Sequence, residues 1–354
     1  MNDYLKNRIR LINRFFKFKM INSYIKGISY YVPEKVITNN DLEKLMDTTD
    51  EWITSRTGIK QRYSVGDEQL GPSDLAVKST EKVLKKTNTS IEEIDFVIFA
   101  TSSPDYYVPG SGSVFQNKMG LNNIGVLDIR QGCAGFVYAL SVADQYIKSG
   151  TYKNILVIGA EVQTTQLDYD TEGRGTAIIF GDGAASALVN PTNAKGKGIL
   201  SSHLHSDGKY IDELGTIAPS PKIKGLINKK NIDDREHHIF MNGREVFKHA
   251  VKRFPEVILE GLSHNNLNID DVSLVIPHQA NYRITKAVQQ NLKIEEEKVF
   301  SNIHKYGNTT AASIGIALSE AIDENRIKDN DTIVLVAFGA GFYWASIILK
   351  WHNE

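Results

Sequence analysis

Short apolar runs alternate with amphipathic stretches along most of the chain. Predominantly apolar runs at residues 94–100 (IDFVIFA), 125–129 (GVLDI) and 155–159 (ILVIG) predict buried strands. Between the last two runs, apolar residues of the segment 136–149 recur at helical spacing, and Gly150 follows as a helix terminator. Strands that alternate with helices indicate an α/β protein whose mostly parallel sheet is covered by helices on both faces.

The same order of elements recurs later in the chain. Residues 272–277 (VSLVIP) and 333–338 (IVLVAF) predict buried strands, and residues 282–292 and 311–321 predict helices. We interpret this repeat as a weak internal duplication, visible in order and spacing but not in residue identity. The polar, aperiodic residues 220–238 predict a solvated excursion near the functional site.

The repeat divides the chain into an N-terminal half at residues 20–190 and a C-terminal half at residues 191–354. It places Cys133, His278 and Asn308 just beyond strand ends, with Cys133 and Asn308 each at the beginning of a helix. Ligands and reactive groups gather at strand ends in open α/β sheets. The three residues therefore occupy comparable positions at which ligands and chemistry are expected.

Residues 1–19 form a basic extension before this pattern. Over the first 20 residues, six basic residues and one acidic residue give a net charge of +5, and apolar residues recur at helical spacing. We interpret the extension as a loose, disordered tail, or as an upstream start with Met20 as the natural first residue. A helix that binds a partner or a membrane surface, and a targeting segment, are the alternatives.

Length and composition narrow the class of protein. A chain of 354 residues fits about two domains or one duplicated unit. A net charge of −1 offers no general attraction to nucleic acid. The single cysteine excludes an intrachain disulfide and any multi-cysteine metal site. Because the chain has no run of 18 apolar residues and no secretory signal, we expect no membrane span and a cytoplasmic location.

Cys133 is the candidate nucleophile. It follows an apolar strand and precedes an amphipathic helix, among small neighbours that permit close approach of a substrate carbonyl. A thiol at a helix N-terminus is expected to have a lowered pKa, which favours the reactive thiolate. The alternative is a buried cysteine that acts only as a small hydrophobic residue.

His278 and Asn308 are the candidate partners of Cys133. His278 directly follows a predicted strand, and Asn308 precedes a helix, although a core histidine and a helix N-cap are the structural alternatives. The Gly339–Gly341 segment could present backbone N–H groups to an oxyanion, or form a plain turn.

Two histidine pairs and one glycine pair are assigned no chemistry. The pairs His203/His205 and His237/His238 lack a metalloenzyme spacing, so we expect no metal site. The glycines at 181 and 183 do not match a phosphate-binding loop and are assigned to a turn.

Six motifs together carry a family resemblance. From residue 24 to residue 351 the chain resembles 3-oxoacyl-[acyl-carrier-protein] synthase III, a condensing enzyme of the thiolase-like superfamily. The motifs are TDEWITSRTGI (49–59), GCAGF (132–136), GRGTAIIFGDG (173–183), PHQAN (277–281), GNTTAAS (307–313) and AFGAGF (337–342). The resemblance implies a layered α-β-α-β-α fold built from two pseudo-repeated halves.

The resemblance also implies a Cys133–His278–Asn308 triad and a homodimer without a cofactor. Cys133 would take an acyl group from acyl-CoA, and His278 and Asn308 would stabilise the enolate formed from malonyl-acyl carrier protein. The backbone N–H groups of Cys133 and Ala340 would form the oxyanion hole. The remaining implied sites are coenzyme A and pantetheine binding at Trp52, Arg56, Arg174, Arg244 and Asn281, an acyl pocket at Val108 and Phe338, and carrier docking at Lys248 and Arg283.

Several residues depart from the usual family pattern. Arg130 and Gln131 replace small or amide residues, Arg244 stands where an asparagine is usual, and Ala340 replaces a glycine. Val108 stands where a phenylalanine of the neighbouring subunit often closes the acyl pocket. These departures leave the reaction class intact but argue against acetyl-CoA as the obvious primer.

The resemblance implies a decarboxylative Claisen condensation that initiates fatty acid synthesis. The alternative is a specialised relative that makes a secondary metabolite from a longer acyl chain or with another acceptor. A thiolase would need a second cysteine, and an elongating synthase would need a second histidine in place of Asn308. A non-catalytic partner protein is a further class, which the intact triad argues against.

For the dimer interface, we expect the strand after Gly150 to lie at a sheet edge.

Overall fold

The computed structural model describes residues 21–353. The strands are β1 (Asn22–Tyr31), β2 (Lys35–Thr38), β3 (Gln61–Ser64), β4 (Phe96–Ala100), β5 (Gly125–Ile129), β6 (Ile155–Glu161), β7 (Gly183–Thr192), β8 (Gly198–Ser206), β9 (Leu214–Gly215), β10 (Phe240–Met241), β11 (Leu274–Pro277), β12 (Thr332–Gly339) and β13 (Tyr343–Lys350). The helices are α1 (Asn39–Glu43), α2 (Asp50–Thr57), α3 (Pro72–Thr87), α4 (Ser111–Lys118), α5 (Gly135–Lys148), α6 (Arg174–Ala177), α7 (Lys229–Asp233), α8 (Gly243–His264), α9 (Tyr282–Leu292), α10 (Ile303–Tyr306) and α11 (Ser313–Asp323). The basic extension predicted at residues 1–19 lies outside the described residues.

Two sheets repeat one strand order. The first sheet runs β1-β7-β6-β4-β5, and the second runs β8-β13-β12-β11. In both, the first three strands are antiparallel neighbours and the following strands are parallel. A parallel bridge between Val275 and Val299 occupies the place that β5 has in the first sheet. The duplicated order of elements that the sequence predicts is therefore confirmed.

Helices form three layers around the two sheets. Helices α5 and α11 lie between them, where Phe136 and Leu318 pack in one cluster with Ile98 of the first sheet and Leu335 of the second. Burying each such side chain contributes about 1.5–3 kcal/mol. Neighbouring strand residues point the other way, because side chains alternate along a strand.

The outer faces of the sheets are covered in the same manner. Val97 of the first sheet packs against α3 and α4, and Val334 of the second packs against α8 and α9. The result is the α-β-α-β-α arrangement that the family resemblance implies, which confirms the expected fold class.

Strand β6 is not an edge strand, so the expectation for the strand after Gly150 is wrong. Residues 155–159 pair with β4 on one side and with β7 on the other. Their backbone groups are satisfied within the chain and cannot add a strand from a second copy. Strand β5 pairs on one side only and forms this edge of the sheet among the described residues.

The polar excursion carries more structure than its sequence pattern predicts. Helix α7 begins after Asn228, whose side chain accepts a hydrogen bond from the Asn231 backbone N–H. Arg235 makes ion pairs with Asp168 and Asp170 and ties the excursion to the loop after β6. The helix cap and the ion pairs therefore order this segment, although its sequence has no apolar periodicity.

Candidate active site

Cys133 lies where the ends of two strands meet. It occupies a 3₁₀ turn, Gly132–Ala134, between β5 and α5, and is 5% exposed. The end of β12 packs directly against this turn, because a Cβ on Gly339 would lie 2.7 Å from the Cys133 backbone nitrogen. Gly132 has a φ of +49°, a conformation that side chains other than glycine's rarely adopt. The two glycines therefore bring the Cys133 turn and the Ala340 backbone into contact.

His278 is buried with one ring nitrogen bonded and the other free. It follows β11, and its backbone N–H donates to the Val336 carbonyl oxygen over 2.8 Å. Its Nδ1 lies 2.5 Å from Ser313 Oγ, whereas its buried Nε2 has no hydrogen-bond partner among residues 21–353. Burial lowers the pKa of His278 to about 3. The imidazole is therefore neutral at physiological pH.

Asn308 is held so that its amide nitrogen remains available. Its side-chain oxygen accepts a hydrogen bond of 2.8 Å from the Thr310 backbone N–H. Its backbone N–H donates to Ile179 O, and its own carbonyl oxygen accepts from Gly181 N–H. With the oxygen occupied, the NH₂ group is free to donate, and a hydrogen bond from Asn308 favours the Cys133 thiolate.

The pKa of Cys133 is raised, so the expected lowering by the helix N-terminus is wrong. Burial is the main cause, and the negative charge of buried Glu161 adds to it. Hydrogen bonds from the backbone and from Asn308 oppose the rise but do not outweigh it. The free-energy cost of burying a thiolate away from water is larger than the stabilisation that the peptide dipoles of one helical turn provide. The resting residue is a protonated thiol.

Glu161 is a buried carboxylate that the motif analysis did not single out. At the end of β6, it accepts hydrogen bonds from the backbone N–H groups of Ser102 and Ser103, from the Ser103 hydroxyl (2.6 Å) and from the Gln163 amide (2.9 Å). Burial raises its pKa. The sequence held one signal, a glutamate that closes an otherwise apolar strand. The contact of Ser313 with His278 was not predicted either, although Ser313 is the last residue of the GNTTAAS motif.

Two cavities meet at Cys133. The larger, about 720 Å³, is lined by polar and apolar residues that include Ser102, Arg130 and Gln163. The smaller, about 100 Å³, is lined by Cys133, His278, Asn308, Asn281 and Phe338 together with other mostly apolar residues. Phe180 and Leu214 line both cavities. A thiol between two cavities can receive an acyl chain on one side and a second substrate on the other.

The residues expected at the coenzyme A site fall into two groups. Two guanidinium groups lie close to the Trp52 ring, with Arg56 at 4.4 Å and Arg174 at 5.1 Å from the ring centre. Asn281 lines the small cavity, and Arg244 is exposed on the first turn of α8 beside it. The structure therefore brings Trp52, Arg56 and Arg174 together, while Asn281 and Arg244 lie at or beside the small cavity.

The two residues expected at the docking site lie on neighbouring helices, whereas the two expected at the acyl pocket have different surroundings. Lys248 is exposed and forms a 3.0 Å ion pair with Glu245, while Arg283 lies 5.9 Å from the Phe247 ring on the neighbouring helix. Phe338 lines the small cavity, not the large one. Val108 is 78% exposed and lines neither cavity within one chain.

Residues 21–353 contain no cluster of histidine, cysteine or acidic side chains arranged for a metal ion. His203 and His205 both contact the Glu260 carboxylate instead, at 3.1 and 2.7 Å. In the same range, no helix has the length and apolar character that crossing a bilayer requires.

Comparison with known proteins places this geometry in a family. Residues 127–208 match the profile described as 3-Oxoacyl-[acyl-carrier-protein (ACP)] synthase III, and residues 262–351 match its C-terminal profile. A beta-ketoacyl-[acyl-carrier-protein] synthase III of Fusobacterium nucleatum is 43% identical over 327 residues, covering 92% of this chain and 98% of the relative. One from Caldanaerobacter subterraneus is 42% identical over 330 residues, with coverage of 92% and 97%.

Solved structures agree with the sequence relatives. The 3-oxoacyl-[acyl-carrier-protein] synthase III of Aquifex aeolicus superposes with a TM-score of 0.84 at 40% identity, covering 93% of this chain and all of that chain. The Thermus thermophilus enzyme gives a TM-score of 0.85 at 38% identity, with coverage of 94% and 100%.

A thiol, an imidazole and an amide beside two cavities in a duplicated, five-layered fold define a thiolase-like condensing enzyme, which is an acyltransferase. The chain belongs to the 3-oxoacyl-[acyl-carrier-protein] synthase III family, and its reaction is the condensation that initiates fatty acid synthesis. The family resemblance and the reaction class inferred from the sequence are thereby confirmed.

Proposed function

We propose that the chain joins an acyl-CoA primer to malonyl-acyl carrier protein through an acyl thioester on Cys133. The observation that carries this proposal is that Cys133, His278 and Asn308 all line one small cavity. No other cysteine exists in the sequence to serve as nucleophile or base. Without a second cysteine to abstract a proton, we infer that the enolate is made by decarboxylation of the malonyl group.

The first step is transfer of the acyl group. The Cys133 sulfur attacks the thioester carbonyl carbon, and the oxyanion is stabilised by the backbone N–H groups of Cys133 and Ala340. The C–S bond to coenzyme A then breaks, and the thiol proton leaves with the coenzyme as CoA–SH. The contact between the Gly339 backbone and the Cys133 turn supports this assignment of the oxyanion hole.

The second step forms the new carbon–carbon bond. The malonyl C–C bond breaks with release of CO₂, and its electron pair becomes the enolate of an acetyl thioester. His278 Nε2 and the Asn308 amide donate hydrogen bonds to the enolate oxygen. The enolate carbon attacks the acyl-Cys133 carbonyl, the thiolate departs and takes up a proton, and the 3-oxoacyl carrier protein is released.

The substrate-binding roles are those that the family resemblance implies for these residues. Trp52, with Arg56 and Arg174, would hold the adenine and phosphates of coenzyme A, and Asn281 and Arg244 would meet the pantetheine. Lys248 and Arg283 at the rim of α8 and α9 would receive the acidic carrier protein. The chain would use no cofactor and would act as a cytoplasmic homodimer.

The large cavity supports a primer longer than acetyl. Its volume of about 720 Å³ beside Cys133 leaves room for several methylene groups, each contributing about 0.8 kcal/mol when buried. Within one chain Val108 does not limit this cavity. In a homodimer, the exposed loop that carries Val108 would close the cavity of the neighbouring subunit. The same volume favours the second candidate, a specialised relative that uses a longer acyl chain.

Intact-protein mass spectrometry across a series of straight-chain acyl-CoA primers tests the proposal. We expect a stable mass increase on Cys133, with a medium-length primer reacting at least as fast as acetyl-CoA. Malonyl-carrier protein should then discharge the acyl group as a 3-oxoacyl product. Val108→Phe should shift the preference back towards the short primer, because the ring would fill the space.

Two results would contradict this proposal at different points. A strong preference for acetyl-CoA that Val108→Phe leaves unchanged would refute the primer length. Discharge of the acyl group to an acceptor other than malonyl-carrier protein would favour the specialised relative.

A further inference from the structure

The His278 ring has one hydrogen-bond contact, and that contact decides where its proton resides. Nδ1 lies 2.5 Å from Ser313 Oγ, and both side chains are 2% exposed. Nε2, on the other side of the ring, is buried without a partner among the described residues. A neutral imidazole carries its one proton on either nitrogen, and the group at the other nitrogen selects between the two forms.

We propose that the Ser313 hydroxyl donates to His278 Nδ1 and so fixes the proton of the imidazole on Nε2. In residues 21–353, Nδ1 is the only hydrogen-bond partner of Ser313 Oγ. If Nδ1 carried the proton and donated, the hydroxyl proton of buried Ser313 would have no acceptor, which is unfavourable. The opposite direction satisfies both groups and leaves Nε2–H unpartnered.

This form of the imidazole suits one half of the reaction only. Nε2–H beside the small cavity can donate to a substrate oxygen, together with the amide nitrogen of Asn308. It cannot accept the thiol proton of Cys133, because Nε2 already carries a proton and Nδ1 accepts from Ser313. Ser313 is therefore a positioning residue for enolate stabilisation, not for acyl transfer. The inference rests on the proposed role of His278 as an enolate donor.

Nitrogen-15 NMR of histidine-labelled resting enzyme tests the proton position directly. His278→Gln identifies the His278 signals by their loss. We expect a protonated Nε2 and an unprotonated Nδ1 that keep these states between about pH 5 and pH 9, because the pKa of His278 is lowered by burial. A protonated Nδ1 in the unmodified enzyme would overturn the proposal.

Ser313→Ala tests the consequence for the reaction. We expect the variant to populate both imidazole forms and to lose about 10-fold in malonyl decarboxylation, less than loss of a direct donor causes, with acylation of Cys133 unchanged. Ser313→Thr should restore one form and most of the rate. The matched control is Ser319→Ala on the same helix, since Ser319 is 1% exposed and its hydroxyl donates to the Ile28 carbonyl oxygen over 3.5 Å.

Unchanged imidazole forms and rates in Ser313→Ala would also overturn the proposal. If that variant does not fold, the spectrum of the unmodified enzyme still decides it. The spectrum needs no substrate, so it is independent of the proposed function. Wild-type decarboxylation by His278→Ala would refute the role of His278 without changing the position of the proton.

Discussion

The two sheets have the same strand order, but the ends of their equivalent strands carry different polar residues. In the first sheet, β6 ends in Glu161, and the loop after β4 satisfies that carboxylate with backbone and hydroxyl donors. In the second sheet, the equivalent strand β12 ends in Gly339, and His278 after β11 keeps a free ring nitrogen. The two halves of the fold place residues at equivalent strand ends. In the first half the polar group there is fully hydrogen-bonded, whereas in the second half a ring nitrogen of His278 stays available for a substrate.

The two helix starts differ in the same way. Cys133 and Asn308 both precede a central helix through a short 3₁₀ turn, Gly132–Ala134 and Thr310–Ala312. The Asn308 side chain is oriented by Thr310 N–H, whereas Cys133 is buried near the charge of Glu161. In the proposed mechanism, one half of the chain supplies the nucleophile and the other supplies the donors, so substitutions in each half test the two roles separately.

Removing the nucleophile should have the largest effect. Cys133→Ser should form no detectable acyl-enzyme, since a serine hydroxyl has a pKa far above neutral and lacks thiolate character. Intact mass measurement after incubation with acyl-CoA checks this, and no other cysteine can confuse the assignment. Full condensing activity in this variant would mean that Cys133 of the N-terminal half is not the nucleophile.

Removing a hydrogen-bond donor of the C-terminal half should slow decarboxylation without stopping acylation. His278→Ala or Asn308→Ala should reduce decarboxylation of malonyl-carrier protein on the order of 100-fold or more. Acylation of Cys133 should largely persist, because backbone N–H groups bind the oxyanion of that step, and Asn308→Ala removes only the hydrogen bond that favours the thiolate. Isotope-labelled CO₂ release measures the first effect and mass spectrometry the second. His304→Ala, an exposed histidine outside both cavities at Cys133, is the control.

The raised pKa of Cys133 predicts a steep pH dependence of its reactivity. Below the pKa, the thiolate fraction grows about 10-fold per pH unit, so alkylation of the resting enzyme by iodoacetamide should rise across about pH 6 to 9 without levelling off. The pKa of His278, lowered to about 3, should add no inflection near neutral pH. The same protein unfolded in denaturant should level off near an ordinary thiol pKa. A plateau near neutral pH in the folded enzyme would indicate a thiolate–imidazolium pair instead.

Reversing a rim charge should have the smallest effect of this series. Lys248→Glu or Arg283→Glu should weaken use of the carrier protein about 10-fold and leave acyl-CoA use nearly unchanged. The loss should shrink as salt is added, because the attraction is screened. Kinetics at two ionic strengths measure it, with a charge reversal at exposed Lys78 on α3, Lys78→Glu, as the control. Equal, salt-independent losses towards both substrates would show that the residues do not dock the carrier.

The apolar pattern by itself determined the order of strands and helices and the duplication. Predicted strand 125–129 and predicted helix 282–292 coincide with β5 and α9, because period and terminators are local properties of the chain. The motifs placed Cys133, His278 and Asn308 at strand and helix ends, and the structure brings all three to one cavity. Their individual roles stay predictions that the variants above test.

Only the tertiary structure decided the position of β6, the surroundings of Val108 and the protonation of the site. Whether a strand is central depends on which partners flank it, and the sequence of the strand does not contain that information. The thiol pKa was misjudged from local sequence because its main determinants, burial and the charge of Glu161, come from residues distant along the chain. Free energies of desolvation depend on everything packed around a group, so they are fixed only when the chain has folded.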